Sequence, residues 1–142
     1  MPALTLELAN RIIAAGLAKG RFDGLKPLTI AVLDPGGHIL AMQREDGSSN
    51  LRPAIAVAKA SGALGLGISS RAIGAIAAER PTFLASLHAL APSGLIPAAG
   101  GVIVQAQDGA VIGAVGVTGD TSDNDELCAL AGIAETGLTA RP

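Results

Sequence analysis

Two tight-turn sequences, each set between short runs of β-prone apolar residues, constrain this chain more than any other feature. Asp34-Pro35-Gly36-Gly37 separates residues 28–33 from 38–44, and Asp108-Gly109 separates residues 101–105 from 111–117. Proline presets φ at the first turn, and glycine reaches positive φ without a steric penalty, so both segments read as β-hairpins. Each hairpin commits two strands to antiparallel pairing. The stretches around the hairpins have helical periodicity instead, in the order helix, hairpin, helices, hairpin, helix. That order predicts an α+β domain, an antiparallel sheet with helices packed on it.

The helices carry their own start and stop signals. Thr5 can cap a first helix built on Leu8, Ile12, Ile13, Ala15 and Leu17, with Gly20 as its stop. Ser49 or Asn50 precedes a second, with Pro53 in its first turn; it runs through 54–60 and fades at Gly62, Gly65 and Gly67. Ser69 or Ser70 opens a third through Ile73, Ile76 and Ala77, closed by Arg80-Pro81. Thr82 begins a short piece through Leu84, Leu87 and His88 that Pro92 ends. Ser122 with Asp125 resembles a capping box for a last helix through Leu127, Leu130, Ala131 and Ala134. No repeat or linker divides the chain, so residues 1–142 read as one domain.

Composition narrows the function. Hydrophobic residues make up 49% of the chain and charged ones 15%, which excludes disorder. The only aromatics are Phe22 and Phe83, so no wall of rings exists on which bases could stack. Net charge is −2, with no basic stripe for nucleic acid. Residues 1–80 balance at +3 and residues 81–142 at −5, a polarity suited to self-association. Prolines and Gly100-Gly101 interrupt the long uncharged stretch 81–107, which argues against a membrane span, and the start of the chain lacks signal-peptide character. A cytoplasmic protein is expected.

Candidate chemistry is sparse. Gly113-x-x-Gly116-x-x-Gly119 imitates a nucleotide loop but follows a hairpin strand, and its glycines fit better as close-packing positions. Asp120, Asp123 and Asp125 fail the EF-hand pattern, because Asp125 and Ala131 hold the positions that need Gly and Glu. Cys128 lies inside an apolar helix and reads as core. No GxSxG elbow is present. Two histidines remain: His38, directly after the first turn, and His88, among leucines. Lys59 stands alone in an apolar run, where it either snorkels out or points into a cleft and needs an anion, such as Asp46 or a ligand carboxylate. Arg44 and Asp46 leave the first hairpin close enough in sequence to frame the same cleft.

Six blocks in register resemble the GlcG/HbpS-like family, to which the PduO C-terminal domain is related. They are Val32-x-Asp34-x-Gly36-Gly37, Arg44-x-Asp46-Gly47, Ala58-Lys59-Ala60, Gly100-Gly101-Val102, Asp108-Gly109 continuing through Val111 to Val117, and Asp125-Glu126. The resemblance covers nearly the whole chain. It implies a profilin-like α/β/α domain, a five-stranded antiparallel sheet with helices on both faces, in homo-oligomers up to octamers.

The resemblance also implies haem binding, with departures. Residues 6–19 lack the first-helix histidine of PduO-type haem binders, so nitrogen ligands reduce to His38 and His88, with Met42 or Thr118 as weaker donors. The expected ligand-binding set is Arg44, Asp46, Lys59, His88, His38, Gly100 and Gly101, with haem as the named cofactor. Propionates would pair with Arg44 or Lys59. An alternative is a small enzyme or accessory factor of hydroxy-acid or aromatic-acid catabolism, in which Arg44 or Lys59 holds a carboxylate and His88 or Asp46 moves a proton. A purely structural assembly protein is the third reading.

Overall fold

The computed structural model describes residues 3–141. In chain order the elements are α1 (Leu6–Phe22), β1 (Thr29–Leu33), β2 (Ile39–Arg44), α2 (Arg52–Leu66), α3 (Ser70–Glu79), α4 (Pro81–Leu87), β3 (Gly101–Gln105), β4 (Val111–Thr118), α5 (Ser122–Glu135) and β5 (Thr139–Arg141). The strands form one antiparallel sheet in the order β2-β1-β4-β3-β5. Helices α1 and α5 cover one face and α2 the other, which is the layered α+β arrangement expected. Among the described residues no single helix is long and apolar enough to cross a membrane.

Period-two alternation along the strands divides the core. Ile30, Val32, Val102, Val104, Val115 and Val117 point toward α1 and α5, where they meet Ile12, Ile13 and Ile133. Leu33 and Ala114 point the other way and pack on Ala60 of α2. Ile73, Leu84 and Leu95 build a smaller core under α3 and α4.

Glycine sets the distance between α2 and the sheet. Gly101 and Gly116 are directly opposite each other across β3 and β4. A Cβ on Gly116 would collide with the Ala56 carbonyl, and one on Gly101 with the Lys59 carbonyl, so the α2 backbone lies directly on this pair. The close-packing reading of the glycine series holds: Gly113 and Gly119 are pressed in the same way against the Leu33 and Pro27 carbonyls.

Several boundaries differ from expectation. Helix α2 continues through Gly62 and Gly65 to a left-handed C-cap at Gly67, φ 73°. The Gly62 position is retained because a Cβ there would sit 2.7 Å from Leu95 Cδ1. Leu51, not Ser49 or Asn50, occupies the α2 N-cap, and no side chain bonds it. Helix α1 passes Gly20, which is buried against Leu28, and ends at Phe22. At α5 the cap is Thr121, whose hydroxyl accepts from Asn124 N at 3.2 Å; Asp125 turns inward instead of closing a capping box. Strand β5 is only three residues long and carries no hairpin signal, so the residues alone did not reveal it.

Candidate ligand-binding site

The first hairpin turn is organised by one carboxylate oxygen. Asp34 Oδ1 accepts from Gly36 N at 2.9 Å, His38 N at 3.0 Å and the His38 ring Nδ1 at 3.2 Å. The Gly37 amide closes the turn on the Asp34 carbonyl at 3.0 Å, with Gly37 at φ 85°. The His38 amide donates the leading hydrogen bond that holds the Asp34 carboxyl below its ordinary value of 3.8; Gly36 N and the imidazole add to it. The His38 ring lies against Gly36, where an added Cβ would sit 2.9 Å from it. The imidazole therefore rests on the turn with one nitrogen held, and its side chain is 81% exposed.

The same turn forms one wall of an apolar hollow of about 390 Å³. Gly36 and Gly37 supply that wall, Leu64 and Gly65 of α2 the floor, and Leu87 and Leu90, at and after the end of α4, the opposite side. The volume falls within the range of small-molecule pockets, about 300–1,000 Å³. Leu90, one of its lining residues, is 77% exposed. His88 follows Leu87 and is exposed at the α4 C-cap, not buried among the leucines.

Lys59 does not reach this hollow, and it does not snorkel. Its amine is buried and donates to the Val117 carbonyl at 2.9 Å and to Asp125 Oδ2 at 3.2 Å. Burial holds it below its ordinary value of 10.5 against the opposing pull of Asp125, and the Arg52 charge adds to the depression. The anion it needs is Asp125, not Asp46 or a ligand. Gly100 and Gly101 are likewise buried at this joint: a Cβ on Gly100 would lie 2.8 Å from Lys59 Nζ, and Gly101 N donates to Ser70 Oγ at 2.7 Å.

Arg44 and Asp46 are exposed, on the rim of a different, shallow depression of about 450 Å³ that also includes Arg21 and Glu45. Arg44 donates to Asn50 Oδ1 at 3.3 Å. Arg44 and Lys59 thus share no hollow, because the amine is consumed inside the fold. Of the weaker donors, Thr118 is buried and accepts from Arg52 Nη1 at 2.7 Å, and Met42 lies on β2 opposite Ala31. Among the described residues no group of three His, Cys, Asp or Glu side chains is placed to hold a metal ion.

Four residues escaped the sequence reading as participants. Asp125 passed as a helix-capping acid, but it is buried against Lys59 and the Asp120 amide. Leu64, Gly65 and Leu90 had no polar signal at all.

Comparison with known proteins agrees with this fold. The model of the family described as "Haem degrading protein HbpS-like" matches residues 4–134. A double mutant of HbpS from Streptomyces reticuli is 31% identical, with a TM-score of 0.80 over 94% of this chain and 87% of that one. Protein ORFY of Klebsiella pneumoniae is 29% identical, with a TM-score of 0.84 over 94% and 90%. A PduOC:heme complex, at 18% identity, shares the fold with a TM-score of 0.87 over 99% and 100%. No curated protein matches. With sheet order, helix layers and nearly every residue of the chain accounted for by one family model, this chain belongs to the HbpS-like family.

Proposed function

We propose that this chain is a self-associating domain that binds a tetrapyrrole, haem foremost, by its apolar edge in the hollow between the first hairpin turn, α2 and α4. The hollow carries the reading: Leu, Pro, Gly and Ala line it with the single hydroxyl residue Ser61, and His38 and His88 each follow a lining residue in sequence without lining it themselves. Removing a ring edge from water there contributes about 25 cal/mol per Å² of apolar surface. The family's description and the heme-complex neighbour support the ligand class.

An imidazole is an ordinary ligand of haem iron. Gly65 leaves room in the α2 wall, where an added Cβ meets nothing within 4 Å. Bound haem would supply iron redox or oxygen chemistry; the protein's residues exclude water from the ring and orient it. Among the described residues no cation lines the hollow, so the ligand's carboxylates extend into solvent or toward a neighbouring copy. Self-association is supported by apolar side chains left in water, Phe22 at 89% and Leu51 at 65% exposure, and by the open edge of β2.

Hemin titration tests the reading. The expected result is a saturable, shifted Soret band that is lost in Gly65→Leu, whose side chain fills the hollow. An unshifted spectrum at saturating hemin overturns it.

A carboxylate-handling enzyme or accessory factor is the second reading, favoured by one observation: Arg21 and Arg44 both border the polar depression with Asp46. Calorimetric titration with small hydroxy acids and aromatic acids tests it, and binding lost in Arg44→Ala supports it. Failure of both titrations, with assembly intact by light scattering, leaves a purely structural protein.

A further inference from the structure

We propose that β2 pairs antiparallel with β2 of a second copy, about a twofold axis through Gln43, so that one sheet runs through both copies. The proposal rests on the self-association reading above and names the surface that performs it.

β2 is an edge strand with β1 as its one neighbour, and none of its six residues is buried. The register decides which of its backbone groups are free. The Glu45 N–H donates to the Leu28 carbonyl at 2.9 Å, and bonded pairs alternate along an antiparallel ladder. Gln43 and Ala41, opposite Ile30 and Val32, therefore also turn their backbone groups toward β1. Met42 and Arg44 turn N–H and C=O outward, a template for another strand. Leu40 has no partner on β1, because the register shifts there. That bulge bends the strand and leaves 41–45 as its regular stretch, with Gln43 at the midpoint. At the other edge β5 is three residues long and offers a shorter template.

The regular stretch is complementary to itself. About an axis through Gln43, the backbone groups of Met42 meet those of the second copy's Arg44, and the reverse. Arg44 thus faces Met42 and Glu45 faces Ala41, so no charge stands directly opposite a like charge. The two Arg44 are diagonal neighbours, and each is drawn toward its own Asn50 at 3.3 Å. Gln43 meets itself. A charged residue on the axis would repel its own copy, whereas an exposed amide is both donor and acceptor. Met42, 38% exposed, is covered by the apolar stem of the facing arginine. Gln43 also borders the polar depression with Arg44 and Asp46, so pairing sets the depressions of the two copies side by side across the axis.

The test uses the full chain, with mass read by size exclusion and light scattering. Opposed residues of a non-bonded antiparallel pair have Cα atoms about 4.5 Å apart, within the disulfide range of about 4.4–6.8 Å. Gln43→Cys should therefore give a covalent dimer on mild oxidation. Ala41→Cys, which faces position 45, should not, nor should the wild type, whose Cys128 is buried. Met42→Pro removes an outward donor and spares the bonds to β1, and it should halve the mass of the assembly. A second pair of variants keeps the backbone intact: Gln43→Glu and Gln43→Lys should each weaken association about 5-fold, and mixing the two should restore it.

Two failures are distinguishable. If the wild type assembles but Gln43→Cys gives no covalent dimer, and the Glu and Lys variants keep the wild-type mass alone and mixed, the edge assignment is overturned and self-association stands. If the wild type is a monomer at 100-fold dilution and at high concentration alike, the self-association reading falls and the edge assignment with it.

Discussion

Lys59 on α2 and Asp125 on α5 form an ion pair of 3.2 Å whose side chains are 4% and 2% exposed. The two helices lie on opposite faces of the sheet, so the pair closes around its end, beside Gly100 and the last residues of β4. Asp125 Oδ1 also accepts from Asp120 N at 2.9 Å, which ties the β4–α5 loop to the same point. The residue expected to hold a ligand instead clamps the two helical layers together.

Breaking that clamp from one side is costly. Asp125→Ala leaves a buried amine without its counter-charge, and a loss of about 3–5 kcal/mol is expected. The double substitution Lys59→Met with Asp125→Leu removes both charges and should recover most of that loss. Urea denaturation of the two single variants and the double variant measures the coupling.

Glycine substitutions on α2 and beneath it should have opposite signs. Gly116→Ala pushes a methyl into the Ala56 carbonyl, backbone against backbone, and should destabilise by about 1–3 kcal/mol or more. Gly65→Ala, inside the same helix with open space around it, should stabilise by about 0.5–1 kcal/mol. Thermal melts of both variants check the pair.

Asp120 should contribute an acid-labile part of the stability. The Asn124 amide, followed by the Lys26 and Thr121 backbone amides, lowers its carboxyl from 3.8 to about 2. A folded-state value below the unfolded one means that the native state binds fewer protons in this interval. The contribution is therefore complete above pH 3.8 and lost as pH falls toward about 2. Urea midpoints measured across that interval should fall less steeply in Asp120→Asn than in the wild type.

Cys128 should be inert while the chain is folded. It is buried, and desolvation, with Asp125 nearby, pushes its thiol up to about 11. A thiol-directed reagent at pH 8 should modify it only after denaturation. Rapid labelling of native protein would contradict the packing of α1 on α5 around it.

The hairpins were legible because their determinants are local. Asp34 through Gly37 and Asp108-Gly109 need only turn chemistry and flanking β-prone residues, and both strand pairs appear where those signals stand. Thr5 was legible as a cap for the same reason, and Ser69 as one of two candidates with Ser70. The α2 boundary was not, since Gly62 lowers helix propensity locally but is required by Leu95, thirty-three positions away. Strand β5 was not, since its only reason to be extended is the free edge of β3.

By itself the sequence determined the element order, the antiparallel pairing and the list of residues able to do chemistry, all of which follow from interactions within a few positions. Only the tertiary structure decided their use. It paired Lys59 with an aspartate sixty-six residues away, left Arg44 on a separate surface and set the Pro35–Gly37 turn against a hollow built from three distant segments. The physical reason is that burial and charge pairing depend on what the fold brings near a side chain, and a buried amine takes whichever anion the packing supplies.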